Sequence, residues 1–267
     1  MNAPEKIFLP DVQASRDERN IVIQKVGIKA VRHPVHIKTK SGSQASVAMI
    51  DMTVKLPSDV KGTHMSRFLE VLQNQHAPLE FDSVKKLMST MLDRLEATEG
   101  HIDMKMPLFL NKVAPVSGVE SLLDYDLHIK AAFEKGSLCY TLQVQVPVTS
   151  LCPCSKKISE YGAHNQRSHI VIAAEITENM DAEDLIKIAE QAASCELWGL
   201  LKRPDEKYVT EKAYDNPKFV EDLVRDIAVA LDHSEKVIAY EVSSENFESI
   251  HNHSAYAWLA KDKRQNH

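Results

Sequence analysis

Residues 149–169 read TSLCPCSKKISEYGAHNQRSH, which places Cys152 and Cys154 around a proline, Lys156 and Lys157 behind them, and His164 further on. A thiolate beside lysines has its ionised form favoured, which suits a metal ligand or a nucleophile. A lone C-x-C pair is a weak metal signal, because closed zinc sites favour two C-x₂₋₄-C pairs. The chain has four cysteines, at 139, 152, 154 and 195, and no second close pair, so a closed four-cysteine site is excluded. The short spacer also argues against a disulfide between Cys152 and Cys154. Spacing alone leaves a ligand, a nucleophile and a polar turn all open.

Other stretches carry similar ambiguity. Lys202-Arg203-Pro204-Asp205-Glu206 follows an apolar run and reads equally as a solvated helix end. Glu221 sits on a helix whose apolar face is Phe219, Leu223, Ile227 and Leu231, where an exposed carboxylate is ordinary. Glu248, His251 and His253 lie in NFESIHNH, directly after a strand pattern: a sheet-edge site or a polar turn. In KGTHMSR, His64 and Arg67 open a helix where backbone N–H groups could hold an anion, or simply cap the turn. Collected in one place, a thiolate, imidazoles and carboxylates would suit a catalytic metal centre with an open position.

The elements that must position these groups repeat along the chain. Runs rich in Val and Ile at 21–37 and 45–57 predict two strands, followed by helices at 65–75 and 81–98 and strands at 101–112 and 121–133. The second half predicts strands at 137–149 and 168–177, helices at 181–201 and 216–232, and strands at 236–246 and 254–261. Strand–strand–helix–helix–strand–strand, twice, implies an α+β chain: two tandem ββααββ modules, with antiparallel sheets carrying helices on one face. Residues 1–20 read as a flexible leader, 21–134 as the first module and 135–267 as the second, which holds most candidate site residues. The uncovered sheet faces need burying, and oligomerisation into a barrel is one solution.

Composition excludes several classes. A net charge of −6 with scattered basic residues argues against nucleic-acid binding, which needs clustered Lys and Arg. No run approaches the roughly 20 apolar residues that span a bilayer. The polar N-terminus is neither signal nor transit peptide, and with few cysteines this points to a reducing cytoplasm. Cys139 and Cys195 fall in apolar patterns and read as small buried hydrophobes. The chain holds eight glycines and no G-x-G-x-x-G or Walker run, which leaves no Gly-rich phosphate loop.

SLCPCSK with His164, KGTHMSR, LLKRPDE and NFESIHNHSAYA together resemble the prokaryotic GTP cyclohydrolase of type IB, over residues 20–262. The resemblance implies a tunnelling fold whose barrels are completed in a homotetramer. It also implies hydrolysis of GTP at guanine C8 to formate and 7,8-dihydroneopterin triphosphate, the entry step to tetrahydrofolate. One divalent metal per site (Mn, Fe or Zn) and no organic cofactor are implied, with no nucleic-acid or membrane partner. Cys152 matches the family's essential cysteine, expected at the metal; His164, Glu206 and His251 match its other ligands or proton carriers. Glu221 matches the guanine anchor and Glu248 a second site carboxylate, with His64, Arg67 and Arg203 as candidates for the substrate's triphosphate. Competing readings are an archaeal-type cyclohydrolase that gives a cyclic-phosphate pterin, a nitrile reductase of the same superfamily, and a non-enzymatic metal-binding protein. The nitrile reductase would carry a lysine-rich nicotinamide-binding stretch, which this sequence lacks.

Overall fold

Side-chain alternation sets the architecture. In β5 (Ser137–Leu151), Tyr140, Leu142, Val144, Val146 and Val148 are buried while Thr141, Gln143, Gln145 and Pro147 between them are half-buried. That period of two marks a strand with one face against a core. The computed structural model describes residue 13 and residues 15–265. The other strands are β1 (Ile23–Thr39), β2 (Gly42–Leu56), β3 (Gly100–Val113), β4 (Glu120–Glu134), β6 (Asn165–Ile176), β7 (Val237–Asn246) and β8 (Ala255–Asp262). They form one sheet in the order β1 to β8, with every neighbouring pair antiparallel.

A single sheet corrects the expectation of two. The halves join because β4 and β5 pair from Asp126–Gln145 to Glu134–Ser137 across the two-residue turn Lys135-Gly136. Both turn residues have positive φ, 50° and 81°. That backbone matches the right-handed twist of the flanking strands and makes the hairpin continuous.

Helices α1 (Met65–Gln73) and α2 (Phe81–Leu95) connect β2 to β3, close to the sequence expectation. The second half departs from it. The helix expected over 181–201 is α4 (Ala182–Ala192) only, because the chain then leaves the helix to pair Cys195 with Thr149 through both backbone bonds (2.9 and 3.3 Å). A helix α5 (Arg203–Asp215) was not expected; only Asp205 and Ala213 on it are buried, so its apolar periodicity is too faint to read. Helix α6 (Val220–Asp232) starts four residues later than expected, after Pro217, with the Phe219 N–H capped by Asp222 (3.0 Å). A short helix α3 (Pro153–Ile158) was also unread.

Phe68, Leu87, Met91, Leu185, Leu223 and Ile227 from the helices pack on Ile50, Met104, Ile129, Val144, Ile172 and Val242 from the sheet, all at most 2% exposed. The opposite face is left to polar groups such as His128, paired with Asp103 (2.8 Å), and His101, beside Glu134 (3.3 Å). Burial pushes both imidazoles below their ordinary range. Cys139 sits on that open face and is exposed, contrary to the sequence reading, because odd positions of β5 point away from the helices. Cys195 is buried as expected. Residues 1–12 and 14 of the expected leader lie outside the described residues; next to them, the carbonyls of Gln13 and Ser15 accept from Gly62 and Lys61 (3.2 and 3.1 Å).

Candidate active site

The helix-facing positions of three adjacent strands turn from apolar to polar at one end of the sheet. Along β5, Val144, Val146 and Val148 give way to Ser150 and then Cys152. Read backwards along β6, Ile172 and Ile170 give way to Ser168, Gln166 and then His164; along β7, Tyr240 and Val242 give way to Ser244, Asn246 and then Glu248. The register sets Ser150 opposite Gln166 and Ser168 opposite Asn246. All five of these strand residues are at most 8% exposed. Such buried polar groups need partners, and they have them. The Ser168 hydroxyl donates to Ser150 (2.7 Å), Ser244 to Asn246 (3.4 Å), and the Leu151 N–H to Ser194 Oγ (3.0 Å).

Cys152 follows β5 directly and caps α3. Its N–H donates to the carbonyl of His164 (3.2 Å), and its Sγ accepts from the Ser155 N–H (3.4 Å). Pro153 opens the helix, where a missing N–H costs nothing. Cys152 is half-buried and Cys154 exposed. Lys156, expected to favour a thiolate, is instead engaged by the carbonyl of Tyr214 and lies 4.2 Å from that ring's centroid, which ties α3 to the end of α5.

His164 meets the protein through Nδ1, 3.0 Å from Gln166 Oε1 and 3.2 Å from Ser249 Oγ. The Gln166 amide nitrogen donates to Glu248 Oε1 (3.4 Å). The loop after β7 is pinned by the Phe247 N–H on the Arg167 carbonyl (3.0 Å) and by Phe247 edge-on to His169. His251 and His253 stack on each other (ring centroids 5.1 Å apart) and are exposed. Glu221, in the first turn of α6, is exposed too; the preceding Lys218 N–H donates to Leu151 (3.1 Å), which docks this helix start beside Cys152.

The structure therefore brings Cys152, His164 and Glu248 to one sheet end, with the helix start that bears Glu221. It does not bring Glu206 or His251 into contact with them, and among the described residues no three His, Cys, Asp or Glu side chains are grouped to hold a metal. Glu206 and Arg203 are exposed on the first turn of α5. Their neighbour Asp205 is fully buried, accepting from Val116 N–H (2.8 Å), Ser117 N–H and Oγ (2.8 and 2.6 Å) and Lys202 N–H (2.8 Å). Burial alone would raise its pKa; the four donors outweigh that and hold it well below the carboxylate range. Arg67 lies elsewhere, donating to the Arg94 carbonyl (3.3 Å) at the end of α2, and His64 precedes α1.

The segment between α4 and α5 is held by a half-buried ionic cluster. Lys112 Nζ reaches Glu190 (2.7 Å) and Glu196 (3.0 Å), and the Tyr125 hydroxyl donates to Glu190 (2.8 Å). Burial raises the Glu190 pKa despite Lys112; for Glu196, Lys112 and Lys212 together outweigh burial and lower it. The Trp198 indole donates to the Val113 carbonyl (2.9 Å), and Gly199 lies so close to the Leu122 carbonyl that a Cβ would overlap it.

Sequence reasoning missed Gln166, Ser249, Ser150 and Asp205. The signal for the first and third was present: three neighbouring strands switch from aliphatic to polar at helix-facing positions as they reach the same end.

Comparison with known proteins places this geometry. Residues 9–257 match the family described as Type I GTP cyclohydrolase folE2. A GTP cyclohydrolase FolE2 from Burkholderia vietnamiensis is 59% identical over 266 residues, covering 99% of each chain. One from Cupriavidus pinatubonensis is 57% identical over 256 residues, covering 96% of this chain and 95% of its own. These descriptions name type I and FolE2 but not the type IB division that the motifs resemble. Among solved structures, uricase from Arthrobacter globiformis superposes with a TM-score of 0.54 at 6% identity, over 91% of this chain and 95% of its own. A urate oxidase mutant from Bacillus sp. TB-90 gives 0.51 at 7% identity, over 90% and 100%. These neighbours carry the tunnelling fold, and this chain shares it.

Proposed function

The chain belongs to the type I GTP cyclohydrolase FolE2 family, and from that premise we propose that it hydrolyses GTP to formate and 7,8-dihydroneopterin triphosphate, the first step of tetrahydrofolate synthesis. One observation carries the reading: Cys152, His164 and Glu248, with the helix start bearing Glu221, converge at one sheet end in a chain matched along nearly its whole length.

The chemistry needs a nucleophilic water at C8, opening of the imidazole ring, release of C8 as formate, and reclosure around the ribose carbons. Donor type fits a divalent ion, Mn, Fe or Zn, since a thiolate, imidazoles and a carboxylate mix soft and hard ligands. Cys152 and His164, already neighbours, would hold it, with Glu206 and His251 as further ligands. When bound, such an ion supplies Lewis acidity and brings the pKa of water down toward neutrality. His164 or His251 would carry protons at N7 and N9 as the ring opens. Glu221 would accept from guanine N1–H and the 2-amino group in a bidentate pair, and Glu248 would stand beside it as a second carboxylate. Arg67, Arg203 and His64 are assigned to the triphosphate. The distance of His64 and Arg67 from Cys152 along the fold supports their serving a neighbouring subunit.

We assign the chain to the type IB division, a homotetramer of the cytoplasm in which neighbouring copies cover the open sheet face. The polar groups on that face support such an assembly, as do the outer edges of β1 and β8, which pair with no further strand among the described residues. Among the described residues, no helix is long and apolar enough to cross a membrane.

Incubation with GTP tests the function. Formate and the fluorescence of the oxidised pterin are expected in equal amounts. A cyclic-phosphate pterin would move the chain to the archaeal-type reaction, and absence of formate would remove the cyclohydrolase reading.

A further inference from the structure

We infer that Gln166 is a positioning residue that fixes the tautomer of His164, so that the imidazole offers Nε2 with its lone pair free. This rests on the reading of His164 as a site residue but not on the identity of the product. Gln166 is assigned no contact with substrate or metal, and it acts through two contacts in series, with Glu248 and with His164.

The first contact orients the amide. Glu248 Oε1 lies 3.4 Å from the Gln166 amide nitrogen, and a carboxylate oxygen only accepts. The nitrogen end of the amide therefore faces Glu248, and the oxygen end faces His164. The second contact places the proton. Gln166 Oε1 is 3.0 Å from His164 Nδ1, and an amide oxygen also only accepts, so Nδ1 must carry the hydrogen. In a neutral imidazole Nε2 is then unprotonated, ready to bind a divalent cation or take a proton. Ser249 Oγ, 3.2 Å from the same nitrogen, is compatible with this tautomer, because a hydroxyl oxygen has lone pairs that accept.

Gln166 is suited to this by its surroundings. It is 8% exposed and sits within β6, with its backbone in register opposite Ser150. A long polar side chain that gave up its rotamer freedom in a buried place must be held by its partners. Its orientation is thus set before any ligand arrives. A histidine ligand whose other ring nitrogen is held this way has both its ring plane and its tautomer defined.

The test uses the full-length, metal-free protein with ¹⁵N-labelled histidine rings and long-range ¹H–¹⁵N correlation in mildly alkaline buffer, with the His164 signals identified through His164→Asn. The expected pattern is a protonated Nδ1 and a bare Nε2. Gln166→Met, which removes the acceptor, should lose that pattern and weaken zinc binding, measured by competition with a chromophoric chelator, by about 10–100-fold. Gln166→Glu keeps an acceptor at His164 while removing the donor to Glu248. It should restore the Nδ1–H pattern and most of the zinc affinity. A wild-type spectrum with the proton on Nε2, or on both nitrogens, would overturn the proposal, as would a Gln166→Met protein with unchanged spectrum and zinc affinity. The wild-type spectrum decides even if the variants fail to fold. An Nδ1–H pattern in a protein that releases no formate from GTP would sink the cyclohydrolase reading and leave this one standing.

Discussion

The amide N–H of Cys152 donates to the carbonyl oxygen of His164 at 3.2 Å, so one backbone hydrogen bond closes the whole 153–163 excursion. The thiol and the imidazole are therefore spaced by the β5–β6 ladder and not by the loop between them. Ser150 and Ser168, bonded beneath at 2.7 Å, keep the strand ends from fraying.

The two cysteines should accordingly behave differently. Cys152→Ala is expected to abolish formate release from GTP. Cys154→Ala, at an exposed position of α3, should stay within about two-fold of wild type, as surface substitutions usually do. The opposite ranking in a steady-state assay would reassign the essential thiol.

Removal of metal by a strong chelator followed by gel filtration should eliminate turnover, and manganese should restore it. Full activity in protein shown by elemental analysis to be metal-free would refute the metal-water chemistry.

Glu221→Ala should raise KM for GTP by about two to four orders of magnitude, since two hydrogen bonds to a charged group contribute roughly 1.5–3 kcal/mol each. Metal content should be unchanged, because Glu221 is on α6 and makes no contact with Cys152 or His164 in this structure. A variant that loses metal along with affinity would contradict the anchor role.

Lys112→Met should destabilise the fold by about 1–2 kcal/mol, because it leaves the half-buried Glu190 without its cation and Glu196 with Lys212 alone. Urea denaturation measures this directly. Adding Glu190→Gln in the same chain should recover part of the loss, and simple additivity of the two changes would show that the three groups do not act as a unit.

Asp205 gives the protein an acid-sensitive joint. Its folded pKa lies below its ordinary value of 3.8, so its stabilising contribution is present above that pH and is lost as the pH falls toward the folded value. Asp205→Asn should lower Tm at neutral pH by several degrees and flatten the acid limb of the Tm–pH curve below about pH 4. A limb as steep as that of wild type would assign the acid transition to other carboxylates.

Much of this was legible in the sequence. The strands of both halves follow from Val and Ile alternation, and α2 from the helical spacing of Val84, Leu87, Met88, Met91 and Leu95. What failed did so for local reasons. Helix α5 has almost no buried face, so no periodicity betrays it, and the stretch after Ala192 looks helical until Cys195 finds Thr149. Cys139 looked buried because one strand's pattern does not say which of its faces the helices will cover. In the site, Cys152, His164 and Glu248 were named from their chemistry, but the glutamine that connects two of them is uncharged and showed only in the switch from aliphatic to polar positions along the strands. Glu206 and His251 were singled out with their stretches, but their roles beside Cys152 came from the resemblance, and their meeting with it is the part still carried by proposal.

The sheet's order, β1 to β8 as in the chain, also bears on how the molecule is made. Every strand pairs with the one synthesised just before it, so a nascent chain can add strands as they emerge without waiting for a distant partner. The helical insertions 57–99, 152–164 and 177–236 interrupt this zippering. Lengthening such a connection is cheap, about 0.6 kcal/mol for each doubling. The delay falls on β7, which must await all of α4, α5 and α6. Since Glu248 follows β7, the sheet end that bears Cys152 and His164 gains this carboxylate only after all three helices have been made.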